Sequence, residues 1–263
     1  MSKAESSPRD AARHVADQIR GAVASGKLEP GQRLPGEHEL AASFDVARGT
    51  VREALRTLAA NGLVRSARGS GGGTFVTVPD ASWVAEQLSD LLGLWFQVGN
   101  ISLAEVNDAR EVLERECVRL AAWHRTEEDL AQMREPVERS RKPNISDNEF
   151  IVSDIDFHTA VSVAARNQVL GLAMSAVHLV RPRTNRLLLR NLDKLVIADQ
   201  HWTIYEAIRD QQPERAVQAL EAHIEHLHEA QRTALADSDP RDIPIANVDP
   251  DPTSESAQSR TTD

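Results

Sequence analysis

Asp154 and His158 stand four residues apart in a stretch of helical spacing, so both side chains leave one face of the same helix. His201 and His223 fall on two later helical stretches. One carboxylate and three imidazoles suit a divalent metal ion, zinc first, with nickel, iron and manganese as alternatives. They also leave one or more coordination positions for water or a ligand. A plainer reading stands beside this one, because the chain has nine histidines and a histidine is more often a surface or hydrogen-bonded core residue than a ligand. Water activation for hydrolysis is a further use of such a donor set. Asp156 is near in sequence, but two residues from Asp154 it points elsewhere on a helix, which leaves no convincing general base.

A second constellation is cationic. Arg48, Arg52 and Arg56 recur every four residues, forming a stripe beside the apolar face of Val51, Leu55 and Leu58. Guanidinium forks near a helix N-terminus can grip phosphates or read a guanine edge bidentately. An arbitrary helix with this pattern would simply be presenting a solvated face. The glycine-rich segment Arg68 to Gly73 lacks the Lys-Ser/Thr and the following helix of a nucleotide-binding loop, so a hairpin tip fits it better.

These residues need elements to position them. Asp10 to Ser25 has helical spacing and ends at Gly26; Leu28 to Gly31 reads as a turn. Two helices follow, Glu37 to Phe44 and Ala47 to Asn61, then strands over Leu63 to Arg65 and Thr74 to Val78. That order predicts a winged helix-turn-helix, and it favours DNA contact for the arginine stripe over a solvated face. Beyond it, Ser102 with Glu105 and Thr126 with Asp129 read as helix-opening caps. Helical patterns over 147–165, 169–192, 195–211 and 214–235 complete an all-helical body, with Pro182 predicted to kink or split one of them. The expected fold is mainly α: a flexible start over 1–9, a DNA-binding head over 10–78, a linker over 79–81, a helical bundle over 82–235 and a disordered tail over 236–263.

Composition agrees. Only 4% of residues are aromatic, so the core is built from Leu, Val, Ile and Ala, which favours helix packing. The single cysteine, Cys117, excludes an internal disulfide framework and lies among apolar neighbours, as a small buried hydrophobe would. No signal peptide or membrane-length apolar run is present, which makes the cytoplasm the default and a membrane partner unexpected. The net charge of −10 divides unevenly: residues 1–78 hold eleven Lys/Arg against eight Asp/Glu, about +3, and the rest nineteen against thirty-two, −13. Screening isolates the head from distant acids beyond about 8 Å at physiological salt, so the head can still meet DNA.

The run Leu34-Pro35-Gly36-Glu37-His38-Glu39-Leu40-Ala41, then Val46 to Arg56 and Leu58 to Val64, resembles the GntR family of bacterial regulators. The resemblance implies DNA contacts by Arg48, Thr50 and Arg52, with Arg68 and Gly69 in the wing. His38 stands at a contact position where the family usually carries arginine, and Gly49 replaces a common Ser or Thr, leaving room for a different operator sequence.

The body resembles the FadR-type FCD effector domain through Asp108 to Glu114, Asp154 to His158, Asn167 with Val169-Leu170, His201 before Ala207-Ile208, and Ala216 and Ala219 before His223. What this implies is a divalent metal held by Asp154, His158, His201 and His223, and an effector-facing Arg110. Metal and guanidinium together would bind a small organic acid. An ion pair of Arg110 with Glu114 along one helix is the plainer alternative. Partners implied are an inverted-repeat operator in double-stranded DNA, a second copy in a homodimer, and the organic acid that modulates DNA affinity. A metal-responsive regulator, with the ion itself as signal, is the alternative, and repression relieved by ligand the family's commoner arrangement.

Overall fold

The computed structural model describes residues 7–248 apart from positions 70, 190 and 237, and divides into two compact units, Met1–Val84 and Ala85–Asp263. In the first unit, α1 (Pro8–Ala24) starts earlier than its apolar spacing predicts. Ser7 Oγ accepts from the Asp10 amide and Pro8 supplies a preset φ, so positions 7–9 belong to the helix start instead of a flexible terminus. Positions 1–6 lie outside the described residues. α2 (Glu37–Phe44) and α3 (Arg48–Ala60) are joined through Asp45, which takes a left-handed φ of 51°. Val15, Ala16 and Ile19 of α1 pack with Ala54 and Leu58 of α3, all nearly or fully buried.

Strands β1 (Val64–Ala67) and β2 (Gly73–Val76) pair antiparallel, Val64 opposite Val76. Residues 32–34 add a third edge, with Leu34 N donating to Thr74 O at 2.8 Å and Val76 N to Gln32 O at 2.8 Å. Its pattern is too short to read from sequence. Gly62 sits at φ +68° with the Trp83 ring 3.1 Å from where a Cβ would lie, so both conformation and space demand glycine there.

α4 (Ala81–Val98) takes up Ala81 from the predicted linker. The second unit continues with α5 (Leu103–His124), α6 (Glu127–Ser140), α7 (Asp147–Ala164), α8 (Gln168–Leu189), α9 (Lys194–Arg209) and α10 (Pro213–Ala234). Ser102/Glu105, Thr126/Asp129 and Ser146/Glu149 form reciprocal capping boxes on α5, α6 and α7. Asn167 Oδ1 accepts from the Val169 and Leu170 amides and starts α8. Pro182 does not split α8, which runs unbroken through it without the amide that would reach the His178 carbonyl.

The bundle core is made of Phe157, Met133, Ile204, Ile208 and Leu220 with many alanines, and Cys117 is buried in it. Each large apolar side chain there contributes roughly 1.5–3 kcal/mol by leaving water. Among the described residues no helix is long and apolar enough to cross a membrane.

The tail differs from expectation. Residues 238–248 form two 3₁₀ turns, Pro240–Asp242 and Ile245–Asn247, instead of a disordered segment. Ile245 is fully buried beside Phe96, Leu103 and Val180. Leu103 N donates to Ile243 O and Ile245 N to Ile101 O, both at 2.8 Å. Three apolar residues, Ile243, Ile245 and Val248, suffice to anchor a polar stretch once two backbone bonds fix it. Positions 249–263 lie outside the described residues.

Candidate DNA-reading head and metal centre

α3 presents Arg48 as its first residue, and its N-cap, Ala47, has no side chain to satisfy the leading amides. Arg48 and Arg52 are exposed on the face beside Val51, Ala54 and Leu58. Glu37 of α2 binds Arg52, Oε2 accepting from Nη2 at 3.1 Å and Oε1 from Nε at 3.4 Å, while Arg48 Nη2 lies 4.0 Å from Oε2. These arginines hold the Glu37 carboxyl below its usual range, the Arg52 hydrogen bonds first. Thr50 is half-buried and His38 exposed. At the wing, Arg68 and Gly69 are exposed, and Gly69, at φ +108°, accepts from the Gly72 amide at 2.9 Å. Arg56 is exposed and pairs with Glu53 at 3.7 Å.

In the second unit α7, α9 and α10 bring His158, His201 and His223 together, with one ring nitrogen of each within 4.8 Å of the other two. Their fractional exposures are 3%, 1% and 0%. His158 Nδ1 donates to Glu114 Oε1 at 3.1 Å, which leaves its Nε2 lone pair bare. That Nε2 faces His201 Nε2 at 3.3 Å, an approach that needs a proton or a cation between the rings. His223 Nδ1 donates to Gln200 Oε1 at 2.8 Å, and its buried Nε2 has no partner among the described residues. Asp154 Oδ1 stands 3.5 Å from His201 Nε2 and 3.9 Å from His158 Nε2.

Burial keeps all three rings neutral: it pushes His201 down to about 3 and lowers His158 and His223 as well. Neutral imidazoles, an orphaned Nε2 and an adjacent carboxylate fit a divalent ion. Burial alone would raise the Asp154 and Glu114 carboxyls. The cations around them win, Arg181 leading for Asp154 and Arg110 for Glu114, and both are held well below the usual range.

Arg181 lies at the centre of this network. Its Nη1 donates to Glu114 Oε1 at 2.5 Å, its Nη2 to Asp154 Oδ2 at 2.7 Å, and Asn185 Nδ2 reaches the same Oδ2 at 2.6 Å. Asp154 therefore has only Oδ1 free to face the histidines. Arg110 is buried, donates from Nε to Glu114 Oε1 at 3.2 Å, and keeps Nη2 without a partner among the described residues. It lines a cavity of about 10 Å³ with Asn107, Thr184, Ile224 and His228.

Two family models match: "Bacterial regulatory proteins, gntR family" over residues 11–76 and "FCD domain" over residues 105–226. A repressor described as "HTH-type transcriptional repressor NanR" from Salmonella schwarzengrund is 30% identical over 80% of this chain and 80% of its own length. The chain belongs to the GntR family. Its body is of the FCD type, as in FadR-like members, and the protein is a transcriptional regulator, not an enzyme. The NanR of Klebsiella aerogenes is 28% identical over 81% of this chain and 82% of that protein. A solved Streptococcus agalactiae GntR structure shares the fold, with a TM-score of 0.51 and 22% identity over 84% of this chain and 99% of that one.

Within this GntR-family chain, Arg181, Asn185 and Gln200 were not singled out by sequence. A signal for Arg181 exists: Met174, Val177, Arg181, Thr184 and Leu188 repeat at alternating three- and four-residue steps, which places an arginine in a core position. Glu114 enters as a partner of three groups, not of Arg110 alone. His226 is half-buried with Nδ1 at 2.7 Å from Gln200 Nε2, and His228 lines the Arg110 cavity, so neither simply faces solvent.

Proposed function

We propose that this GntR-family regulator is a homodimeric repressor whose affinity for an inverted-repeat operator is set by a small organic acid bound at a metal ion in the helical body. The observation that carries this reading is the buried His158, His201 and His223 triangle, with an orphaned His223 Nε2, beside the half-satisfied Arg110. A divalent ion, zinc first, would be held by those three nitrogens and Asp154 Oδ1, and would supply a Lewis-acidic point for a carboxylate. Arg110, with Nη2 unspent, would bind the acid's remaining oxygens. In the head, Arg48, Thr50 and Arg52 would contact bases or phosphates, with His38, Arg68 and Gly69 at its margins. A second copy would cover the exposed apolar side chains Leu91, Leu94, Trp95 and Val98 of α4. The repressor sense follows the NanR relatives, which are transcriptional repressors.

The acid acts only to the extent that it binds one arrangement of the dimer better than the other. One observation favours the ion itself as signal: the cavity beside Arg110, about 10 Å³, holds no more than a water-sized ligand. Elemental analysis and native mass spectrometry of the purified protein, followed by operator binding with metal alone and with metal plus organic acids, test both readings. Release by metal alone would favour the ion; release needing both would favour the acid. A monomer free of metal would sink the proposal.

A further inference from the structure

Gln200 lies between two histidines. Its Oε1 accepts the Nδ1 proton of His223 at 2.8 Å, and its Nε2 lies 2.7 Å from His226 Nδ1 and donates to it. Both ends of the amide are therefore committed, Oε1 to His223 and Nε2 to His226. His223 is fully buried, so its tautomer is chosen by whatever stands at Nδ1. With an acceptor there, the proton resides on Nδ1 and a bare Nε2 points to the other rings. The unpartnered state of that buried Nε2 is the cost of the arrangement, and a cation is what would relieve it. At His158 the same task falls to Glu114, a carboxylate that also serves Arg110 and Arg181. Gln200 serves no such charged network; its described bonds go to the two histidines alone.

We propose that Gln200 is a positioning residue for the metal centre, selecting the Nδ1–H tautomer of His223 and aiming its Nε2 at the ion. The inference rests on the metal reading above. Outer hydrogen-bond partners of this kind change metal affinity by roughly 10–100-fold when removed.

The test uses the full chain, stripped with a chelator and titrated with zinc against a chromophoric competitor. Gln200→Leu keeps the side-chain bulk and removes the acceptor, and should weaken zinc binding by about 10–100-fold. Gln200→Glu restores an acceptor and should return the affinity to near wild type, a rescue that a purely space-filling role would not give. Histidine ¹⁵N spectra of the metal-free proteins provide a second readout. The wild type should show His223 as the Nδ1–H tautomer, and Gln200→Leu should shift it toward Nε2–H. Wild-type zinc uptake with unchanged affinity in Gln200→Leu overturns the inference alone, as does a Gln200→Glu variant as weak as Gln200→Leu. A wild-type protein that takes up no zinc overturns the metal centre, and this inference with it.

Discussion

Glu37 at the start of α2 grips Arg52 of α3 along one edge of its guanidinium, through Nε and Nη2. The Nη1 edge is left facing away from the carboxylate, the geometry a guanine O6/N7 pair or a phosphate requires. An exposed pair like this one adds little to stability, since such pairs are worth about 0–1 kcal/mol. Its effect is on aim and charge. Arg52→Ala should therefore leave the head folded and cost about 1–3 kcal/mol of operator discrimination. Glu37→Gln should raise affinity for random DNA, steepen the salt slope by up to about one ion, and lower the specificity ratio. Fluorescence anisotropy with operator and scrambled duplexes over a salt series reads both. Undiminished operator preference in Arg52→Ala would refute the assignment of α3 as the reading helix.

His158→Ala and His223→Ala each remove a ring from the buried triangle, and each should abolish stoichiometric zinc. The consequence is readable in stability. A ligand at a hundred times its Kd stabilises the folded state by about 2.7 kcal/mol, so zinc should raise the melting temperature of the wild type and not of the variants. A full equivalent of zinc in either variant would remove that residue from the ligand set.

The buried His201 and the half-buried His178 also set a pH dependence. Burial pushes His201 and His178 down to about 3, against an ordinary value of 6.5. As pH falls through about 6.5 the unfolded chain takes up these protons while the folded chain does not, so the unfolded state binds more protons down to about 3. Stability from these neutral rings is complete above 6.5 and lost progressively below it. The melting temperature of the metal-free protein should fall steadily from about pH 7 to about pH 4. His178→Asn retains a partner for Thr159, which lies 3.3 Å from Nδ1, and should flatten that slope. A flat wild-type profile would contradict the neutral state of the rings.

Much of the architecture was readable because it obeys local rules. Capping pairs such as Ser102/Glu105 and Thr126/Asp129 announce helix starts within a few residues, and α3 separates its apolar face cleanly from Arg48 and Arg52. What escaped depends on contacts distant in the chain. Arg181 meets Glu114 and Asp154, 67 and 27 positions away; its spacing along α8 marks a core position, but nothing local names the two carboxylates it pairs with. Gln200 matters only because α9 and α10 pack, bringing His223 and His226 to its two ends. The third edge of the wing and the ordered 238–248 segment are held by bonds to partners that sequence spacing does not reveal.

Arg110→Ala separates sensing from structure. Removing one member of a buried ion pair commonly costs about 3–5 kcal/mol, because the remaining charge is stranded. Here the cost should be smaller, since Arg181 Nη1 and His158 Nδ1 still hold Glu114 Oε1. The variant should fold, bind operator like the wild type, and need much more organic acid to release it. Loss of operator binding with an unchanged acid response would assign Arg110 a structural role.

Ile245→Ala tests the terminal segment. In a bundle core, Ile→Ala costs about 2–5 kcal/mol, and the full amount is felt only when the neighbours cannot rearrange. The 238–248 segment has an alternative, because it can detach and take Ile243 and Val248 with it. Its total loss is then limited to the docking energy of three apolar residues and two backbone bonds, less the chain entropy regained. The measurable result should be modest in the global melting temperature and large in local protection. Amides of Leu103 and Ile245, which donate to Ile243 O and Ile101 O, should exchange much faster in the variant, and proteases should cut near 238–248. A melting temperature lowered as far as by truncating Leu220, deep in the main core, would mean that the segment unfolds with the bundle as one cooperative unit.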